Sequence, residues 1–173
     1  AEAYETMLLS ATQTRVTMID PNIRPSFVRD EASFRARIER MVSASDIVKL
    51  SDEDLEWIAG AGDIATNARA LLAKGPKLVL ITQGSEGATA YHADYEVFVP
   101  TIPVDLSNSD TIGAGDTFNA GVLASLHEAG LMNKEAIANL SKKDAKNAVS
   151  YGMKAARITV SRKGANPPWK HEL

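Results

Sequence analysis

The residues best equipped for chemistry lie in the stretch DTIGAGDTFNAG, Asp110 to Gly121, where Asp116 follows a Gly-Ala-Gly turn of Gly113, Ala114 and Gly115. Directly behind comes an apolar helix with Phe118, Val122, Leu123 and Leu126. Glycines let backbone N–H groups come close to an anion, and a helix N-terminus adds about half a positive charge. Such a turn suits a phosphoryl group that gains charge during transfer. Asp116 beside it can take the proton of a hydroxyl that attacks phosphorus. A carboxylate is a weak base, which suffices because phosphoryl transfer depends on positioning and charge stabilisation. The plainer reading also stands: an Asp at a helix start is most often a cap. The pattern is neither a Walker loop, since no Gly-Lys-Ser/Thr follows, nor a complete G-x-G-x-x-G.

The elements that position this turn alternate between helix and strand. The spacing predicts a helix over Ala3–Gln13, a short strand over Arg15–Asp20 ending at Pro21, and a helix over Glu31–Ser43 with Phe34, Ile38, Met41 and Val42 on one face. A strand over Asp46–Leu50 follows, then Ser51 as N-cap of a helix over Asp52–Ala59. Further on come a helix over Asp63–Lys74, an apolar strand over Lys77–Thr82, and a hairpin of Ala88–His92 with Glu96–Val99. After the motif, helices are expected over Asp116–Ala129, Lys134–Leu140 and Lys142–Ile158, and the tail RKGANPPWKHEL has no periodicity. Strand–helix alternation with continuously apolar strands argues for an α/β fold with a parallel sheet covered on both faces. In open sheets of this kind ligands gather at the C-terminal ends of strands, where loops feed helix N-termini.

Composition narrows the function classes. With 173 residues, 45% apolar and 24% charged, the chain can bury a core. A formal net charge of −3 gives no electrostatic case for nucleic acid or an anionic membrane as partner. The absence of cysteine excludes disulfides, thiolate metal sites and cysteine nucleophiles. No apolar run reaches the length of a membrane span and no signal peptide is visible, so a soluble cytoplasmic protein is expected. The opening AEAYETMLLSATQ has no initiator Met and reads as already helical, which suggests a fragment.

DTIGAGDTFNAGVLASL resembles the second signature of the ribokinase-like, or PfkB, carbohydrate kinases. Other stretches match in the family's order. DPNIR (Asp20–Arg24) is similar to the D-x-N-x-R segment of fructokinases and 2-keto-3-deoxygluconate kinases, and KLSDEDL (Lys49–Leu55) to their K-x-S-D-E-E segment. ITQGSEG (Ile81–Gly87) resembles the T-x-G-x-x-G turn of the nucleotide site, and VSRKGA (Val160–Ala165) the final loop beside the adenine. The resemblance covers essentially the whole chain. It implies a three-layer α/β/α fold with a mostly parallel sheet, of which residues 1–173 form the C-terminal, ATP-binding and catalytic half. The family's Gly-Gly sugar-binding motif and its β-sheet lid belong to the N-terminal half and are not found here.

The roles it implies are these. Asp116 is the base, also facing the substrate, and the backbone of Gly113, Ala114 and Gly115 is the anion hole. Thr82, Gly84, Ser85 and Gly87 form the nucleotide turn, with a hairpin turn the alternative for Gly87. Lys49 and Ser51 stand near the ATP phosphates, Gly164 lies in the last loop, and Met153 stands where an Asn usually meets the adenine. Asn22 and Arg24 reach phosphate or substrate, although a plain surface charge is as fair a reading of Arg24. Asp110 and the carbonyl of Ile112 help hold a monovalent cation, usually potassium, with carbonyls of the Ser161–Asn166 loop.

The family's N-x-x-E element, associated with magnesium and phosphate, stands here as Ser51-x-x-Asp54, a departure that puts Asp54 in doubt as a magnesium contact. The acidic cluster Asp52, Glu53, Asp54 and Glu56 reads more simply as a solvated helix start. His92, His127 and His171 lack metal spacing, and Trp57 and Trp169 read as packing residues. The expected partners are ATP, Mg²⁺, potassium and a sugar or sugar acid, with a homodimer of the full-length chain left open. The implied reaction is phosphorylation of a sugar hydroxyl, fructokinase-like, with 2-keto-3-deoxygluconate kinase or ribokinase as alternatives. From another class, the chain as given is an inactive nucleotide-binding fragment.

Overall fold

The computed structural model describes residues 2–104 and 110–173. In chain order the elements are α1 (Glu2–Ala11), β1 (Met18–Ile19), α2 (Glu31–Ala44), β2 (Ile47–Ser51), α3 (Asp52–Ala59), α4 (Ile64–Leu72), β3 (Leu78–Thr82), β4 (Gly87–Tyr91), β5 (Glu96–Pro100), α5 (Ala114–Glu128), α6 (Lys134–Ala138) and α7 (Lys142–Val160). The strands stand in the order β1-β2-β3-β4-β5. β1, β2 and β3 are parallel, with Met18 opposite Ile47 and Val48 opposite Val79. The connections 83–86 and 92–95 are too short for a parallel crossover, so the sheet is mixed. The chain divides into two units: Ala1–Thr82 with Tyr91–Glu96 and Asn133–Asn139, and Gln83–Ala90 with Val97–Met132 and Leu140–Leu173.

In the first unit, β2 and β3 are mostly apolar and buried, Lys49 of β2 being the charged exception. Ile47, Val48, Leu50, Leu78, Val79, Leu80 and Ile81 are all buried, as expected of parallel strands covered by helices. Ile38, Met41 and Val42 from α2, Leu55 from α3, and Ala68 and Leu71 from α4 complete this core. The helices start where the sequence supplies caps. Asp30 accepts from the Ser33 amide at 3.0 Å, Ser51 from the Asp54 amide at 3.0 Å, and Asp63 from the Thr66 amide at 2.8 Å.

The first strand is shorter than its β-branched run. Arg15 N–H still donates to Ala11 C=O at 2.9 Å, closing the turn after α1. Thr17 then gives its amide (2.8 Å) and hydroxyl (3.0 Å) to the Asp46 carboxylate, which also takes the Lys134 ammonium. Only Met18 and Ile19 are left to pair before Pro21. His92 is buried, with Nε2 3.2 Å from Ala138 C=O and its ring stacked on Tyr95, which fits a structural role; His127 and His171 are exposed.

In the second unit, α5 and α7 meet at bare backbone. A Cβ on Gly121 would lie 2.7 Å from Gly152 Cα, and one on Gly152 would lie 2.8 Å from Phe118 C=O. Around this crossing Phe118, Val122, Leu126, Ala148, Val149 and Ala155 are buried. Helix propensity alone says that Gly121→Ala stabilises by about 1 kcal/mol. The contact is with main chain, which cannot rotate away, so overpacking of about 1–3 kcal/mol should win. Gly121→Ala is therefore expected to lower the urea midpoint of the full-length protein; an unchanged or higher midpoint would show that the helices can part at no cost.

The tail is not wholly irregular, since Lys170–Glu172 forms a 3-10 turn, as does Pro25–Phe27. Trp169 is 74% exposed and so is not a packing residue. Trp57 is one, with Phe34 edge-on at 5.7 Å and the Arg35 guanidinium 3.7 Å above its ring.

Candidate functional site

The Gly-Ala-Gly turn opens a helix two residues earlier than the sequence reading put it. Gly113, at φ 78, is the N-cap, a left-handed conformation that favours glycine. Ala114 and Gly115 are already helical, and Asp116 is the third residue of α5. The Ala114 amide donates to Thr111 C=O at 3.2 Å, so it is partly spent inside the turn. The Gly115 and Asp116 amides lie in the first helical turn, where no intrahelical carbonyl can reach them. Asp116 is exposed. One helical turn therefore presents two amides and a carboxylate.

The turn is held from behind. Thr117 donates its hydroxyl to Gly113 C=O at 2.8 Å, and the buried Thr159 hydroxyl of α7 is 3.0 Å from it. Asp110 Oδ1 accepts the Ile112 amide at 2.9 Å and Oδ2 the Gly164 amide at 3.1 Å, while its own N–H donates to Val160 C=O at 3.1 Å. Asp110 thus fastens the motif to the last loop. Ala165 closes the junction, since a Cβ on Gly113 would sit 3.0 Å from that of Ala165. Gly164, at φ 68, has open space where a side chain would be, and Met153 is buried in α7. Beyond the loop, the Arg162 guanidinium, helped by the Trp169 amide, holds the Glu172 carboxyl below its ordinary value.

The Gly84 turn belongs to the same unit. Gln83 N–H donates to Gly87 C=O at 2.8 Å and Glu86 N–H to Gln83 C=O at 2.9 Å. Gly84, at φ 51, and Ser85 are exposed, and nothing stands within 4 Å of a Cβ built on Gly84. Gly87 differs: a Cβ there would be 2.2 Å from Val99 C=O, so this glycine is needed for the close approach of β4 and β5.

The first unit holds the other predicted residues. Thr82 is half-buried and donates to Leu50 C=O at 3.3 Å. Lys49 is mid-strand in β2, buried, and its ammonium lies 3.0 Å from Asp20 Oδ2. Ser51 caps α3 in a reciprocal box with Asp54. Asp54 is itself buried and accepts the Ile23 amide at 2.8 Å. The sequence reading of a solvated acidic cluster therefore holds for Asp52, Glu53 and Glu56, all exposed, and fails for Asp54. Asn22 and Arg24 are exposed, and Arg24 Nη1 donates to Ile23 C=O at 2.9 Å. Of the two carboxylates that hold this loop, Asp20 was visible only as the acid opening DPNIR, and Asp54 only as a doubtful magnesium contact or a solvated acid.

Among the described residues no three His, Asp or Glu side chains are grouped to hold a metal. Potassium needs only oxygen ligands, and each Asp110 oxygen keeps lone-pair capacity beyond its one amide. Among the described residues no helix is long and apolar enough to cross a membrane.

Residues 1–172 match the model of the pfkB family carbohydrate kinases. The fructokinase of Rhizobium leguminosarum bv. trifolii is 48% identical over 146 residues, 84% of this chain and 44% of that protein. A crystal structure of Vibrio cholerae O395 fructokinase with fructose, ADP and potassium superposes with a TM-score of 0.80 at 23% identity, covering 95% of this chain and 50% of the other. Aminoimidazole riboside kinase of Salmonella enterica, complexed with aminoimidazole riboside and an ATP analogue, gives 0.70 at 26% identity over 86% and 46%. The chain spans about half the length of the relatives it matches.

Proposed function

Because the chain belongs to the pfkB family of carbohydrate kinases, we propose that the full-length protein transfers the γ-phosphoryl group of ATP to a sugar hydroxyl, with fructose as the acceptor. The 173 residues are its nucleotide-binding and catalytic part, and the sugar-binding part and lid lie outside them. The observation that carries the reading is the start of α5, where the Gly115 and Asp116 amides and the Asp116 carboxylate share one exposed turn. Asp116 takes the proton of the attacking hydroxyl as its oxygen bonds to phosphorus. The bond to the bridging oxygen breaks and ADP departs. The amides of the Gly113–Gly115 turn and the start of α5, Gly115 and Asp116 foremost, receive the charge that builds on the γ-phosphoryl oxygens.

The nucleotide is held by Thr82, Gly84 and Ser85, with Met153 and Gly164 at the base, Lys49 and Ser51 towards the phosphates, and Asn22 and Arg24 towards phosphate or sugar. Gly87 serves the close approach of β4 and β5. Asp110 and the Ile112 carbonyl would hold potassium. A cation there would offset phosphate charge, and magnesium would arrive on the nucleotide. Fructose is preferred because the 48% identical relative is a fructokinase; a riboside is the second reading, favoured by the Salmonella structure.

The test is steady-state phosphorylation by the full-length protein. Turnover with ATP and a kcat/KM for fructose above that for ribose, aminoimidazole riboside and 2-keto-3-deoxygluconate is expected, and no turnover on any sugar would end the proposal. Gly84→Val should raise the KM for ATP far more than that for sugar, because a side chain would occupy the open face of the turn. Equal rises in both would place Gly84 outside the nucleotide site.

A further inference from the structure

Both oxygens of Asp54 point back into the protein. Oδ1 accepts the Ile23 amide at 2.8 Å and Oδ2 the Ser51 amide at 3.4 Å, and the residue is 5% exposed. The other end of the same loop is held in the same way. Asp20 Oδ1 accepts the Asn22 amide at 3.2 Å and Oδ2 the Lys49 ammonium at 3.0 Å. Ile23 between them is buried, pinned at its N–H by Asp54 and at its C=O by Arg24 Nη1. Asn22 has φ 44, the one positive value among described non-glycine residues. Such a conformation persists only where the surroundings over-determine it, and here two carboxylates do so.

We propose that Asp54 is a positioning residue rather than a magnesium or phosphate ligand, its carboxylate bracketing the 20–24 loop so that Asn22 and Arg24 stand towards an oxygen-rich substrate. The part concerning substrate rests on the kinase reading above. Asp54, unlike the partly exposed Asp110, is buried as well as bonded to main-chain amides, which leaves little solvent-side access for a magnesium that keeps its waters. The bracket itself rests on the hydrogen bonds alone.

The experiment uses the full-length protein with Asp54→Asn, Asp54→Ala, Arg24→Ala and the Asp54→Ala/Arg24→Ala pair. Asp54→Ala should speed hydrogen exchange at the Ile23 amide by about tenfold or more. It should also lower kcat/KM by about 10–100-fold through a displaced loop. The double variant should lose no more than about twofold beyond Asp54→Ala, since both changes undo one arrangement. Asp54→Asn keeps an oxygen for Ile23 and should restore most of the protection and activity, and it remains readable if Asp54→Ala does not fold. The magnesium concentration for half-maximal rate should move less than about twofold, where loss of a group supporting the metal typically shifts it about 10–100-fold.

A tenfold magnesium shift in Asp54→Asn with Ile23 protection intact would overturn the proposal in favour of a metal role. Fully additive losses in the double variant would overturn it in favour of mere stability. A wild-type protein with no turnover would remove the kinase reading and the substrate half with it, and Ile23 exchange alone then decides the bracket.

Discussion

Asp116→Asn in the full-length enzyme is expected to lower kcat by about 10²–10⁴-fold, the usual contribution of a positioned base, and to leave the KM for ATP nearly unchanged. The structure separates this expectation from the capping alternative. The N-cap of α5 is Gly113, with no side-chain cap, and Asp116 is the third helical residue, exposed to solvent. A carboxylate in that turn gains about 0.3–1 kcal/mol from the helix dipole. Asparagine forfeits no more than that and keeps the shape, so the melting temperature should barely move. It cannot accept the proton. The Gly115 and Asp116 amides remain, which is why nucleotide binding should survive. A variant keeping more than about a tenth of wild-type kcat would show that the proton leaves by another route.

The second large effect is on folding. Lys49 and Asp20 form a pair with 6% and 15% of their side-chain surface exposed. Removing Lys49 takes the ammonium from Asp20 while the Asn22 amide stays, so the cost should fall below the ~3–5 kcal/mol of an uncompensated buried charge. Lys49→Ala should therefore cost about 1–3 kcal/mol in urea unfolding of the full-length protein, the range for one lost hydrogen bond to a charged group, added to any effect on nucleotide binding. Replacing both members of a buried pair by apolar residues of similar volume is often close to neutral, but Asp20→Leu also removes the acceptor of the Asn22 amide, so Lys49→Met with Asp20→Leu should recover only part of the loss. If Lys49→Ala unfolds at the wild-type midpoint, the ammonium is not held by Asp20 in solution and is free to serve phosphate.

The strands β2 and β3 and the helices α2, α3 and α4 were legible in the sequence, because a largely apolar run, the Ser51 cap and helical spacing are local signals. The family was legible for a similar reason, since its motifs sit in short contiguous stretches. The start of α5 was misread because Asp116 resembles a cap, while a glycine in a left-handed conformation leaves no side-chain signature. The end of the first strand depended on Asp46, 29 residues from Thr17, and no local pattern reports such a bond. Asp54 was read as solvated for the same reason: what buries it is the Ile23 amide, 31 residues away. Trp169 was misread because large aromatic residues are usually buried, and this one is not.

That exposed Trp169 has an optical consequence. The chain holds two tryptophans, one in each unit. Trp57 lies under the Arg35 guanidinium and against Phe34, whereas Trp169 stands in solvent close to the loop that carries Gly164. A collisional quencher such as acrylamide should therefore reach the indole at 169 well before the one at 57. With Trp57→Phe in the full-length protein, the remaining emission becomes a titratable signal for the last loop, readable on adding ADP without any turnover.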